Sequence, residues 1–145
     1  MIRSENRILT THVGSLPRPE DLIQIMYAKE EGIPVDSKVM AARVETAVGE
    51  IVSLQTNAGI DIVNDGEMSK PSYATYIKDR LAGFGGKSNS FVYQDVAEFP
   101  KMAERVFNDP GRSRRKTPGC NAEIAISDRD AAVADVKNLI TATNN

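Results

Sequence analysis

The chain has 145 residues, of which 41% are hydrophobic and 26% charged, and its formal net charge is −2. This length and apolar content suit one folded domain. The near-neutral balance argues against a nucleic acid or a membrane surface as partner. The basic run RSRRK (residues 112–116) contains no aromatic residues and is typical of a solvated loop.

Cysteine usage and the N-terminus bear on the compartment. A single cysteine, Cys120, allows no intrachain disulfide and no cysteine-rich metal cage, and we interpret it as a structural residue. The opening MIRSENR is charged, and no apolar run approaches the roughly 18 residues of a membrane span. We therefore expect a cytoplasmic protein with no membrane partner.

The first predicted elements are a strand and a helix. β-Branched and apolar residues predict a strand over residues 8–13, which stops at Gly14. A loop with two prolines follows, and the acids after Pro19 favour a helix start because they complement the positive end of the helix dipole. This helix is predicted to run to about residue 31.

The clearest predicted helix spans residues 36–58. Asp36 is a good N-cap, Gly59 suits the left-handed position after the helix, and apolar residues recur at steps of three and four. The helix leads into a predicted strand over residues 60–63. Strand, helix and strand in this order favour parallel pairing through a right-handed crossover, which would bring the loops after both strands to one rim.

The C-terminal half is less regular. Helical spacing predicts a helix from Pro71 to Gly83, and then an irregular segment over about residues 84–119 that indicates a functional loop. Within that segment, residues 91–93 fit a short strand and residues 101–107 a short helix.

A last strand and helix close the predicted order. Residues 123–126 predict the strand, and Ser127 or Asp128 would cap the helix. The apolar face of this helix consists of Ala132, Val133, Val136, Leu139 and Ile140.

Two strand-to-loop junctions carry the candidate binding residues. The first, HVGS, offers backbone N–H groups and a hydroxyl that suit a carboxylate or phosphate, and the second, DGE, offers carboxylates that suit an ammonium group. Together they match an α-amino acid, although each alone also fits an ordinary glycine turn. The candidate substrate-binding residues are His12, Val13, Gly14, Ser15, Asp65 and Glu67. His12, the only histidine, fits a hydrogen-bonded structural residue as well as a ligand, acid or base.

Five motifs occur in order along the chain: TTHVGSLPRP (10–19), QxxxGID (55–61), NDGE (64–67), RLxGF (80–84), and PxC (118–120) before the last strand and helix. Together they resemble the opening of the catalytic domain of cobalamin-independent methionine synthase and its shorter relatives. The resemblance implies a (β/α)8 TIM barrel, of which this chain would form the N-terminal part as a single domain over residues 1–145.

The resemblance also implies a reaction. This family transfers a methyl group from methyltetrahydrofolate to the thiol of homocysteine, which zinc activates, and makes methionine. The residues matching Val13, Gly14, Ser15 and Glu67 contact the amino-acid part of homocysteine in that family. Asp65 departs from the methionine synthases proper, where His-Gly-Glu is usual, so another small thiol stays open as acceptor.

The zinc ligands are the larger departure. The family uses a His-x-Cys pair, a further acid and a distant cysteine, and this chain has no His-x-Cys. We expect no metal ligand or catalytic residue here, and an isolated chain that transfers no methyl group. Its 145 residues are also fewer than the ~250 of a typical barrel.

Three explanations of the short length stay open: a portion of a larger enzyme, a truncated reading frame, or a homo-oligomer that covers the open barrel edge. The alternative function is a non-catalytic half-barrel that binds a small ligand or a partner chain.

Overall fold

The computed structural model describes residues 3–85, 98–107 and 118–144, which form five helices and a two-stranded antiparallel sheet. The elements are α1 (Glu20–Glu30), α2 (Ser37–Asn57), α3 (Tyr73–Arg80), β1 (Leu81–Gly85), α4 (Pro100–Phe107), β2 (Gly119–Ile126) and α5 (Asp130–Thr143). The mixed α/β class is confirmed, whereas these residues contain no barrel. The strand predicted over 91–93 and the basic run at 112–116 lie outside the described residues.

Helix α2 is the centre of the fold. The Asp36 carboxylate caps its start by accepting hydrogen bonds from the N–H groups of Lys38 (2.8 Å) and Val39 (3.3 Å). Gly59, at φ +79°, ends it, and Ile60 N–H returns to the Gln55 carbonyl at 3.0 Å, as in a Schellman motif. Both predicted ends are therefore confirmed.

The core lies between α1, α2 and the loop after residue 63. Eight apolar side chains are buried there: Leu22, Met26, Val44, Ala47, Val48, Ile51, Val52 and Met68. Leu139 and Ala142 of α5 pack against this cluster, so the C-terminal helix is held on α2. Leu16, Val63 and Met68 join this core, so it fixes the loop before α1 relative to the loop after α2.

The two predicted parallel strands are reduced to a single parallel bridge between Thr11 and Ile62. Ile62 N–H donates to the Thr10 carbonyl at 3.1 Å, but Thr10 N–H donates to the Asp61 carboxylate at 2.9 Å, so a side chain replaces a ladder bond. Arg7 donates hydrogen bonds to the same carboxylate from both terminal nitrogens. The parallel direction is as predicted, whereas full strands over 8–13 and 60–63 are wrong.

The region around Gly83 corrects the sequence prediction. Helix α3 ends at Arg80, before the predicted end at Gly83, because β1 pairs with β2 from Leu81 onward. The register shifts between Ala82 and Phe84, and a Cβ on Gly83, at φ +91°, would lie 2.6 Å from the Glu123 carbonyl oxygen. Gly83 therefore permits a β-bulge rather than ending a helix.

Helix α5 begins at Asp130, and the Asp128 carboxylate accepts a hydrogen bond from Ala131 N–H at 2.9 Å. The predicted apolar face is only partly covered, since Leu139 packs on the core while Val136 is 59% exposed. Val133 and Ile140 are exposed as well. Within the described part of the chain, no helix combines the length and apolarity needed to cross a membrane.

Candidate functional site

The loops that follow residues 13 and 63 lie side by side. Leu16 N–H donates to the Gly66 carbonyl at 3.0 Å, and the Asn64 side-chain amide donates to the His12 carbonyl at 2.6 Å. Buried Gln55 of α2 bonds the main chain of Asn64 in both directions, at 2.8 Å to its carbonyl and 3.2 Å from its N–H. Helix α2 thereby fixes one loop, which in turn fixes the other.

Ser15 and Glu67 meet across this loop pair. The Ser15 hydroxyl donates to Glu67 Oε2 at 2.5 Å. Glu67 has φ +58°, and it is the one described non-glycine residue with positive φ. A left-handed conformation costs a non-glycine residue about 1–3 kcal/mol, and such strain concentrates at ligand sites. Two of the candidate residues are thus in direct contact, 52 positions apart in sequence.

Arg18 holds the Glu67 loop from its other side. Its Nη2 donates to the Glu67 carbonyl at 2.8 Å, its Nε to the same oxygen at 3.2 Å, and Nη2 also to the Lys70 carbonyl. The guanidinium is 3.4 Å from the Ser15 hydroxyl oxygen. A positive charge therefore lies beside the Ser15–Glu67 pair, where it favours a bound anion.

Asp65 is already engaged within its own loop. One carboxylate oxygen accepts from Glu67 N–H at 2.9 Å, and the other faces Lys70 Nζ at 3.2 Å. Of the two carboxylates that the sequence offers for an ammonium group, Glu67 faces Ser15 and Asp65 supports the backbone. Direct ligand binding by Asp65 stays a prediction.

The first junction presents polar backbone and one histidine. Gly14 has φ +91° with open space where a Cβ would lie, and Val13 beside it is 88% exposed. In the described part of the chain, the N–H groups of Gly14 and Ser15 have no hydrogen-bond acceptor. His12 Nε2 is shielded from solvent and likewise meets no partner among the described residues. The two backbone N–H groups can donate to an incoming acceptor group.

A cleft of about 530 Å³ opens beside the Ser15–Glu67 pair. Its polar wall holds Ser15, Arg18, Glu67 and Ser72. Its apolar wall comes from the first loop and α1, with Leu16, Pro17, Ile23, Met26 and Tyr27. The volume falls in the range of small-molecule sites, about 300–1,000 Å³. The charged groups of Arg18 and Glu67 opposite an apolar wall suit a small amphiphilic ligand.

The side chains of the described residues do not fit a zinc ion. The described residues contain no group of three or more His, Cys, Asp or Glu side chains placed to hold a metal. Cys120 is exposed on β2, with its Sγ 3.9 Å from the Ala122 carbonyl oxygen. A tetrahedral zinc site needs three or four converging donors, and the described residues do not bring such a set together.

Three supporting residues escaped the sequence reasoning, namely Arg18, Gln55 and Lys70. Arg18 and Gln55 occur in motifs, and Lys70 follows one. Arg18 bonds the Glu67 carbonyl 49 positions away, Gln55 bonds the Asn64 main chain nine positions away, and Lys70 pairs with the Asp65 carboxylate five positions away. Contacts of these kinds leave no periodic signal in the sequence. Only the pairing of the loops shows what these three residues do.

The fold and the site define a mixed α/β chain that carries a hydroxyl, a carboxylate and exposed amide groups on two adjoining loops. It is similar to proteins named as methyltransferases and to one named as a methionine synthase. Over 75 residues it is 31% identical to the 5-methyltetrahydropteroyltriglutamate–homocysteine methyltransferase of Streptomyces avermitilis, and over 108 residues 28% identical to that of Mycobacterium tuberculosis. Over 103 residues it is 33% identical to the methionine synthase of Sulfolobus acidocaldarius.

The similarity is distant and partial. The matched stretches cover 52%, 74% and 70% of this chain but only 10%, 14% and 30% of these three relatives, respectively. No model of a known protein family matches the chain. The resemblance to cobalamin-independent methionine synthases that the motifs predict is thus confirmed at the level of distant, partial similarity.

Proposed function

We propose that this chain supplies the amino-acid-binding half of a methionine-synthase-like methyltransferase site. Glu67 would pair with the ammonium group of a small α-amino acid, and the N–H groups of Gly14 and Ser15 would hold its carboxylate. The observation that carries this proposal is the contact of 2.5 Å between Ser15 Oγ and Glu67 Oε2, beside a ligand-sized cleft.

The charges around the pair support this orientation. The Glu67 carboxylate attracts an ammonium group, whereas the Arg18 guanidinium, 3.4 Å from Ser15 Oγ, favours a carboxylate on the Ser15 side. The Glu67 end of the pair therefore favours a positive group and the Ser15 end a negative group, and the two ends are 2.5 Å apart. An α-amino acid bears both charges on one carbon, so it can satisfy both ends together.

The reaction is a proposal of wider scope. The relatives are named as homocysteine and methionine enzymes, and we propose a homocysteine-like thiol as the amino acid bound here, with methyltetrahydrofolate as the donor in the complete site. The parallel bridge between Thr11 and Ile62, with its two exit loops adjoining, is compatible with the first strands of a (β/α)8 barrel. Metal and donor chemistry is not assigned to residues of this chain.

Calorimetry with two ligands tests the amino-acid site. L-Methionine carries the ammonium group, and 4-(methylthio)butanoate is the same molecule without it. We expect Glu67→Gln to weaken L-methionine binding by about 1–3 kcal/mol, the scale for losing a charged hydrogen-bond partner, because the amide has no charge for the ammonium group. Binding of 4-(methylthio)butanoate should change little.

The control is Glu20→Gln on the exposed start of α1, where the carboxylate contacts only Gln24 among the described residues. It should bind both ligands as the unmodified chain does. Equal L-methionine affinity in Glu67→Gln and the unmodified chain would show that Glu67 is not the ammonium partner.

A second candidate is a non-catalytic module that binds a partner chain. The exposed apolar side chains of α5, with Val133 64% and Val136 59% exposed, favour it. Light scattering separates the two, because the module requires a defined complex or oligomer, whereas the amino-acid site requires only ligand binding.

A further inference from the structure

We infer that Asp65 and Lys70 act as a positioning pair that holds Glu67 in its left-handed conformation, and so aims its carboxylate at Ser15. This inference rests on the proposed amino-acid site and assigns residues that make that site competent. Neither residue needs to touch the ligand.

The loop geometry closes around Glu67. Asp65 accepts the Glu67 N–H through one oxygen at 2.9 Å, and the same carboxylate faces Lys70 Nζ through its other oxygen at 3.2 Å. Lys70 N–H in turn donates to the Glu67 carbonyl at 3.0 Å. Both main-chain polar groups of the strained residue are thus bonded by this pair, which opposes relaxation to negative φ.

The pair is well shielded, which strengthens it. The Asp65 and Lys70 side chains are 18% and 23% exposed, so solvent screens their attraction less than that of a surface pair. One charge left without its partner here would be costly, because both groups are largely removed from water.

Helix α3 contacts the lysine, and α5 in turn contacts α3 through Arg80. Lys70 Nζ lies 5.3 Å from the centroid of the Tyr76 ring, and the guanidinium of Arg80 lies 4.6 Å from the same centroid. Arg80 is anchored by Asp135 of α5 at 2.9 Å. A cation held near an aromatic ring loses orientational freedom, so the Tyr76 ring restricts where the lysine can point.

The test combines amide hydrogen exchange with ligand binding in the 145-residue chain. Lys70→Met keeps the aliphatic stem and removes the charge, Lys70→Arg restores a cation, and Asp65→Asn keeps an acceptor for Glu67 N–H but removes the ion pair. Lys29→Met is the control, because it removes another lysine–aspartate pair, of 3.0 Å with Asp79, that includes neither Asp65 nor Glu67.

We expect Lys70→Met to raise the exchange rate of the Glu67 amide about tenfold and to weaken L-methionine binding about tenfold. Asp65→Asn should show roughly a threefold change, and Lys70→Arg should stay within about twofold of the unmodified chain. Lys29→Met should leave both quantities unchanged even if it lowers the melting temperature. This last comparison separates positioning from general stability.

The exchange measurement and the binding measurement can contradict the inference independently of each other. Unchanged Glu67 amide exchange in Lys70→Met would overturn the positioning role, whatever the binding data show. Faster exchange with unchanged L-methionine affinity would also overturn it, since the loop conformation would then be irrelevant to the site. If the unmodified chain binds no amino acid, the proposed function fails, and the exchange result still decides whether the pair holds the loop.

Discussion

Gly66→Ala should destabilise the chain much more than Gly14→Ala, although both glycines have positive φ, at +59° and +91°. A Cβ on Gly66 would lie 2.9 Å from Met68 Cε, 3.1 Å from Ile51 Cγ1 and 3.2 Å from Leu16 Cβ. A Cβ on Gly14 would meet nothing within 4 Å. The pair of variants therefore separates backbone strain from crowding.

The magnitude follows from those contacts. Left-handed backbone costs an alanine roughly 1–2 kcal/mol at either position. Crowding adds about 1–3 kcal/mol at Gly66, since Met68 is fully buried and Leu16 is fixed by its 3.0 Å hydrogen bond to Gly66 itself. We expect about 2–5 kcal/mol for Gly66→Ala and about 1–2 kcal/mol for Gly14→Ala.

Urea unfolding followed by circular dichroism measures both free energies. At this chain size each kcal/mol corresponds to roughly 3 °C, so Gly66→Ala should melt about 6–15 °C lower. Equal losses in the two variants would refute the reasoning, because they would mean that the core beneath Gly66 accommodates a methyl group without strain.

Two further changes probe the supports of the site. Gln55→Leu should lower the free energy of unfolding in urea by about 1–3 kcal/mol, because the Asn64 main chain then loses both hydrogen bonds to the buried Gln55 side chain. Gln24→Leu, at an exposed position of α1, should change it little. Hydrogen bonding by Arg7, and then by Thr10 N–H, lowers the pKa of Asp61 below its ordinary 3.8. The ionised Asp61 carboxylate therefore stabilises the fold fully above about pH 5, and this contribution fades as the pH falls. The difference in free energy of unfolding between the unmodified chain and Asp61→Asn should shrink between about pH 5 and pH 2. An advantage that grows on acidification would contradict that assignment.

Local sequence signals located the helices well. Asp36 and Gly59 delimit α2 because a side-chain cap and a left-handed glycine act over only three or four residues. The same range explains the error at Gly83, where a glycine that resembles a helix end is needed instead for close approach to the Glu123 carbonyl of a distant strand. Hydrophobic periodicity also identified the apolar face of α5. It did not show which residues of that face pack against the core, because their burial depends on where α2 lies.

The site divides in the same way. The two junctions and their chemical types, a glycine loop with a hydroxyl and a loop with two acids, are readable from the sequence because they are properties of adjacent residues. The folded chain adds that Glu67 faces Ser15, that Asp65 pairs with Lys70, and that Arg18 and Gln55 bond the main chain of the second loop. The Ser15–Glu67, Arg18 and Gln55 contacts join residues that the packing of α1 and α2 brings close, and such contacts have no spacing rule along the chain.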